Sequence, residues 1–206
     1  MPAQLQFDPQ GLIPCVAQDW RTGEVLTLAY MDAEALRLTR ESGEVHFFSR
    51  SRGELWRKGE TSGNVLRLRQ LRYDCDADAL VALVDPAGPA CHTGARSCFH
   101  RDLDGDGDGE PEPAAHDALA ALERTLAERG RERPHGSYTA ELLGDPDRIG
   151  AKVREEADEV ARAAQSESDE RVAEEAADLL YHLEVLLLSR ELPLSAALEV
   201  LNGRRG

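Results

Sequence analysis

A chain of 206 residues, 41% hydrophobic and 5% aromatic, is long enough for one large domain or two small ones, each with its own core. Its net charge of −15 argues against nonspecific binding to nucleic acid or anionic membrane, because both need Lys and Arg to displace counterions. No apolar run reaches membrane length and the start, "MPAQLQFDPQGLIPC", lacks a basic-then-apolar signal pattern, so a cytoplasmic protein is expected. In that reducing compartment Cys15, Cys75, Cys91 and Cys98 are expected as free, metal-bound or catalytic thiols rather than disulfides.

The first elements are mixed. Residues 24–31, "EVLTLAYM", read as a strand, after which Asp32 caps a helix over "AEALRLTRES" that ends near Gly43. Residues 45–49, 64–73 and 79–85 read as further strands, and the phase slip between Leu68 and Leu71 predicts a bulge. Cys15 is expected in a loop as a small hydrophobe. This half is a strand-dominated α+β domain over 1–101.

A break follows at 102–115, "DLDGDGDGEPEPAA", read as an acidic Gly/Pro linker. Asp102, Asp104, Asp106 and Gly107 imitate the first half of a calcium loop, but its bidentate twelfth position falls on Pro113, so a calcium site is rejected. The charge changes here too. Residues 1–101 carry 13 acidic and 12 basic side chains, whereas 102–206 carry 26 and 12.

After the break every pattern is helical. One helix follows Asp117, carries Leu119, Leu122 and Leu126, and stops at Gly130. A second opens at Asp145-Pro146 with Ile149, Val153, Ala157, Val160 and Ala164 inward. A third runs from Ser168/Asp169 to about Arg190; its run "LLYHLEVLLL" is apolar nearly all round, the profile of a bundle core or a subunit interface. Pro193 introduces a short last helix. The region 116–206 is expected to be an all-α bundle.

Two constellations carry chemistry. Cys75, Cys91 and Cys98 lack the tight pair of a structural zinc site; they fit either buried small hydrophobes or three zinc ligands with one position left open for water. If 74–78 is extended, Asp74, Asp76 and Asp78 share one face, opposite Cys75, and suit Mg²⁺; a solvated strand end is the other reading. Arg50, Arg52, Arg57 and Lys58 surround Trp56 in "SRSRGELWRKGETSGN", a pattern that fits phosphate binding with base stacking, or simply a solvated basic loop.

The segments "QDWRTGEVLTLAYMD", "SRSRGELWRKGETSGN", "DCDADAL" and "ACHTGARSCF" together resemble phosphoribosyl-AMP cyclohydrolase, a zinc- and magnesium-dependent enzyme of histidine biosynthesis. The resemblance implies that Cys75, Cys91 and Cys98 bind Zn²⁺ and that Asp74, Asp76 and Asp78 bind Mg²⁺. It also implies a homodimer whose zinc site is shared between subunits. The implied reaction is attack of zinc-held hydroxide on C6 of the purine, with opening of the N1–C6 bond. His92, beside Cys91, is the candidate proton donor to N1, or else a structural residue.

In the helical half, Glu156/Glu159 and Glu175/Asp178 are i,i+3 pairs whose like charges disfavour a helix by roughly 0.2–0.5 kcal/mol each. A solvated acidic face balanced by Lys152 and Arg171 is one explanation. Two packed helices converging four carboxylates on divalent ions is the other. The pattern, with "GSYTAELL" and "DRIGAKVREEADEV", resembles phosphoribosyl-ATP pyrophosphatase. That resemblance implies Glu156, Glu159, Glu175 and Asp178 as Mg²⁺ ligands, and Lys152 or Arg148 as phosphate contacts.

Together the two resemblances imply a bifunctional hydrolase acting on small nucleotides. Phosphoribosyl-ATP loses pyrophosphate in the C-terminal domain, and the product's purine ring opens in the N-terminal one. The rival readings are a general nucleotide pyrophosphatase fused to another zinc purine hydrolase, and a non-catalytic metal-binding scaffold.

Overall fold

The computed structural model describes residues 5–103 and 112–204. Most of the expected linker, with Asp104, Asp106 and Gly107 of the rejected calcium pattern, lies outside them. The chain divides into two compact units, Met1–Pro113 and Ala114–Gly206.

The first unit is a six-stranded sheet: β1 Ile13–Asp19, β2 Val25–Met31, β3 His46–Ser49, β4 Glu54–Arg57, β5 Leu66–Tyr73 and β6 Leu80–Pro86, in the order β4-β3-β2-β1-β6-β5. Neighbours pair antiparallel except β1 and β6, which run parallel. The segment leading into β3 also reaches β5: Val45 N–H donates to the Leu66 carbonyl (2.9 Å) and Leu68 N–H to the Gly43 carbonyl (2.7 Å). The sheet therefore curls on itself, and Ile13, Leu26, Met31, Phe47, Leu66 and Val84 fill its interior.

Helix α1, Ala33–Ser42, starts where Asp32 Oδ1 accepts the Ala35 N–H at 2.7 Å and ends at the left-handed Gly43. The predicted bulge in β5 is present, as a register shift between Leu68 and Gln70. Two strands differ from expectation. Cys15 lies in β1, not a loop; its strand alternates buried and half-buried residues, and burial pushes the thiol up to about 12. Part of the expected basic loop is β4, whose Trp56 packs its ring 5.5 Å from that of Phe47.

The second unit is helical: α2 Asp117–Glu132, α3 Tyr138–Leu143, α4 Pro146–Ser166, α5 Asp169–Ser189 and α6 Leu194–Gly203. Asp145 and Ser168 cap α4 and α5 through the N–H groups of Arg148 and Arg171. Leu126, Leu142, Ile149 and Val185 form the core. Gly130 does not end α2, which continues to Glu132; a Cβ there would stand 3.3 Å from Leu143 and 3.4 Å from Leu188, so the glycine lets α3 and α5 pack close. The unpredicted α3 is short and capped by Ser137.

The inward face of α4 is Ile149, Glu156 and Ala163, whereas Ala157 and Ala164 are exposed. On α5 the buried positions are Glu175, His182, Glu184 and Val185, while Leu180 is exposed, so the apolar run is not buried all round. Neither oxygen of Glu184 has a hydrogen-bond partner among the described residues; burial, with Glu123 adding repulsion, pushes its carboxyl up to about 7. No described helix is long and apolar enough to cross a membrane.

Candidate functional sites

The "YDCDAD" stretch is a turn, not an extended strand. It links β5 to β6, with Asp74 Oδ1 accepting the N–H groups of Asp78 (3.0 Å) and Ala79 (3.1 Å) and Ala77 in the left-handed region (φ 63°). Aspartate favours this because its short carboxylate accepts from backbone a few residues on. The alternation argument fails, but the convergence survives: ligand oxygens of Asp74, Asp76 and Asp78 lie within 4.8 Å of one another. All three are exposed. The Ala79 amide holds the Asp74 carboxyl below its usual range, while hydrogen bonding to Asp74 and the charge of Asp76 push Asp78 up. Three hard oxygens this close suit a small divalent cation.

The cysteines separate into two places. Cys91 and Cys98 stand at the two ends of a loop laid against β2, where each thiol perturbs the other's ionisation. Cys98 N–H donates to the Leu26 carbonyl at 2.8 Å, and Ser97 Oγ to that of Val25 at 2.7 Å. Thr93 Oγ1 donates to Cys91 Sγ at 3.1 Å and draws that thiol down, whereas burial raises Cys98. Cys75 is exposed in the aspartate turn, its sulfur 3.8 Å from Asp76 Oδ1. Among the described residues the three thiols do not fall within 4.8 Å of one another.

Sequence reasoning missed what anchors the thiol loop. Arg96 reaches Asp19 Oδ2 through Nη2 and Glu24 Oε2 through Nε, both at 2.6 Å, and Asp19 is 4% exposed at the end of β1. The other Asp19 oxygen accepts from Arg21 N–H at 2.8 Å, tying the clamp to the β1–β2 turn. An arginine between two candidate ligands, with acids in the distant "QDWRTGE", was the only available signal.

Beside Cys91 and His92 opens a cavity of 490 Å³, walled by Arg52, Trp56, Arg57, Lys58 and the loop 59–64. Gly59 (φ 86°) is required there: a Cβ would meet the Asn64 backbone at 2.4 Å. His92 Nδ1 lies 3.9 Å from Cys91 Sγ. Arg57 also pairs with Glu44 at 2.6 Å. Arg50 stands 3.9 Å over the Tyr30 ring instead of among the residues walling this cavity. A cleft of this size with convergent cations and one indole matches a phosphorylated, ring-bearing small molecule.

In the helical unit, α4 and α5 are joined through Glu167 and Ser168 and pack together. Ligand oxygens of Glu156, Glu175 and Asp178 converge within 4.8 Å, with Glu156 and Glu175 buried. Lys152 Nζ sits 3.3 Å from Glu156 and 3.0 Å from Glu155, which raise its ammonium, and Arg171 pairs with Glu175. Glu159 is not in this cluster; its carboxylate pairs with Arg162 at 3.1 Å. Arg148 lies 5.5 Å over the Tyr138 ring. Two buried carboxylates and a third beside them, on facing helices, make a hard-oxygen cluster of the kind that holds divalent ions in helix bundles.

A strand-rich unit with paired thiols, an aspartate turn and a basic cleft, followed by a helical unit with clustered carboxylates, defines a two-domain hydrolase with one polar centre in each domain. Family comparison is specific: residues 27–100 match the phosphoribosyl-AMP cyclohydrolase model, and residues 119–205 match the phosphoribosyl-ATP pyrophosphohydrolase model. The histidine biosynthesis bifunctional protein HisIE of Bacillus subtilis is 49% identical over 98% of this chain and 95% of its own length. The protein of that name from Halalkalibacterium halodurans is 48% identical over 97% and 95%, and that from Xanthomonas campestris 47% over 94% and 89%. The chain belongs to this family of bifunctional proteins, with a phosphoribosyl-AMP cyclohydrolase domain preceding a phosphoribosyl-ATP pyrophosphohydrolase domain. It is a multifunctional hydrolase of histidine biosynthesis acting on small-molecule nucleotides.

Proposed function

We propose that the two activities run in series through two metal centres built from the residues described above. The C-terminal domain takes phosphoribosyl-ATP, with Glu156, Glu175 and Asp178 holding Mg²⁺ and Glu159 entering as an outer or additional ligand. Held there, magnesium would supply positive charge to the phosphates and lower the pKa of water. Lys152, already against Glu156, and Arg148 contact the triphosphate. Pyrophosphate leaves, and phosphoribosyl-AMP passes to the N-terminal domain.

There the cleft residues Arg52, Arg57 and Lys58, with Arg50 as a further contact, bind phosphates while Trp56 stacks on the purine. Cys91 and Cys98 hold Zn²⁺ with Cys75, and Asp74, Asp76 and Asp78 hold Mg²⁺. Held by these thiolates, zinc would supply the Lewis-acid chemistry that makes water nucleophilic toward C6 of the ring. His92, beside Cys91 and walling the same cleft, delivers the proton to N1 as the N1–C6 bond breaks. The separation of Cys75 from the Cys91–Cys98 pair supports a homodimer, in which the partner's aspartate turn brings Cys75 and the three carboxylates to this cleft together.

The proposed boundaries are 1–101, a linker over 102–115, and 116–206, supported by the meeting of the two compact units at Pro113/Ala114. A cytoplasmic location belongs to the same reading, supported by four free thiols. The observation that carries the reading is the presence of two independent ligand clusters, one per family domain. Assaying the two half-reactions in variants tests it. Cys91→Ser loses ring opening by at least about 100-fold, beyond what residues supporting a ligand lose, while pyrophosphate release persists; Glu156→Gln does the reverse. Preference of the wild-type chain for ordinary nucleoside triphosphates would contradict the assignment.

A further inference from the structure

Inside the helical unit, His182 is 5% exposed and the sequence patterns assign it no role. It lies on α5 one turn beyond Asp178. Its Nδ1 is 2.9 Å from the backbone carbonyl of Asp178 and 3.4 Å from Oε1 of Glu156, across on α4. Its Nε2 is 3.2 Å from the Tyr138 hydroxyl on α3. A carbonyl oxygen only accepts, so Nδ1 carries a proton, and in the neutral ring Nε2 accepts from the tyrosine O–H. The tautomer is therefore fixed by its partners. The ring orientation is fixed as well, by edge-on packing against Tyr138 (6.0 Å, 90°) and Tyr181 (5.1 Å, 86°).

The Nδ1–H is thus hydrogen-bonded to the backbone carbonyl of one carboxylate residue, with the carboxylate of another 3.4 Å from the same nitrogen. Lys152 approaches Glu156 at the same Oε1, so the carboxylate is gripped by that oxygen from both helices. Rotation of the Glu156 carboxyl is thereby restricted. From this geometry we infer that His182, oriented by Tyr138, is a positioning residue that presets Glu156 for divalent-cation binding. It acts through the Tyr138–His182 hydrogen bond between α3 and α5 and the 3.4 Å approach of Nδ1 to Glu156 on α4. The inference rests on the metal-site reading of the Glu156–Glu175–Asp178 cluster. Groups that orient a metal-binding carboxylate typically contribute 10–100-fold to metal affinity.

The test is Mn²⁺ binding to the full chain, followed by loss of the free-ion EPR signal, in a background where Asp74, Asp76 and Asp78 are all asparagine. His182→Phe keeps the ring volume and removes both nitrogens; it raises the Kd for Mn²⁺ about 10–100-fold. His182→Asn places an N–H near the position of Nδ1 and recovers most of that loss. Tyr138→Phe perturbs packing least and weakens binding about 5-fold, the effect of one hydrogen bond. The Mg²⁺ concentration for half-maximal pyrophosphate release shifts in the same order. A purely structural histidine predicts lower melting temperatures with unchanged Kd and no rescue by asparagine, and that result overturns the inference alone. Unchanged Mn²⁺ binding in Glu156→Gln overturns the metal-site reading beneath it.

Discussion

The two domains solve the same problem, crowding like charges where a cation can neutralise them, with opposite architectures. In the helical unit the carboxylates sit on two long helices joined by a two-residue link, so one chain brings Glu156, Glu175 and Asp178 within 4.8 Å. In the strand-rich unit the ligand candidates lie on a turn and a loop: one chain brings the oxygens of Asp74, Asp76 and Asp78 within 4.8 Å, but among the described residues the three thiols do not converge. Rigid helices allow a locally complete centre. Loops at different places on a curled sheet keep the thiols of the aspartate turn and of the 91–98 loop apart, which is why the proposed reading calls on a second copy.

Loops also need anchoring that helices do not, and this gives the larger of two further effects. Arg96→Gln removes the clamp between the thiol loop and Asp19 and Glu24. It lowers zinc retention and ring opening about 10–100-fold, destabilises the N-terminal unit by roughly 1–3 kcal/mol, and leaves pyrophosphate release unchanged. Zinc content after dialysis, alongside both assays, reads this out. An equal loss of both activities would show that the clamp serves the whole chain and not the loop.

A smaller effect belongs to the helices. Glu184 is a carboxyl raised from 4.5 to about 7 by burial. With a folded value above the unfolded one, the folded state holds the proton more tightly. Its stability is greatest below pH 4.5 and is lost as pH rises through 7. Glu184→Gln therefore stabilises the helical unit at pH 8 by roughly 1–3 kcal/mol, and the gain shrinks toward zero below pH 5. Chemical denaturation across that range checks both sign and window; a gain independent of pH would mean that the charge is not the cause.

How far these features were legible in the sequence depended on whether local chemistry or tertiary packing decided them. Asp32, Gly43, Asp145-Pro146 and Ser168 mark helix ends through hydrogen bonds within four residues, and each falls where expected. The bulge in β5 was written in the phase of its leucines. Strand β1 was not legible, because its inward residues, Ile13, Cys15 and Ala17, are mostly small and the strand carries a proline. Spacing of two misled at Asp74–Asp78: the aspartates prefer capping their own turn to lying in a strand.

The carboxylate cluster was legible as a pattern and not as a membership list. The inward stripe of α4 repeats at seven residues through Ile149, Glu156 and Ala163, and Glu159 is turned about 60° away from Glu156 round the helix. Its pairing with Arg162 follows from that rotation. His182 and Arg96 escaped because each touches the candidate sites through another side chain, and sequence spacing records no such contact between distant helices or strands.

Under the proposed reading the cyclohydrolase centre needs two chains, whereas the carboxylate cluster of the helical unit lies within one. Mixing two inactive variants, Cys75→Ser and Cys91→Ser, under conditions of subunit exchange tests it most directly. A heterodimer of these chains rebuilds one intact centre of two, so ring opening returns to about a quarter of the wild-type rate, while pyrophosphate release stays at full rate in each variant and in the mixture. A mixture as inactive in ring opening as its components would contradict the shared centre and place Cys75 outside it.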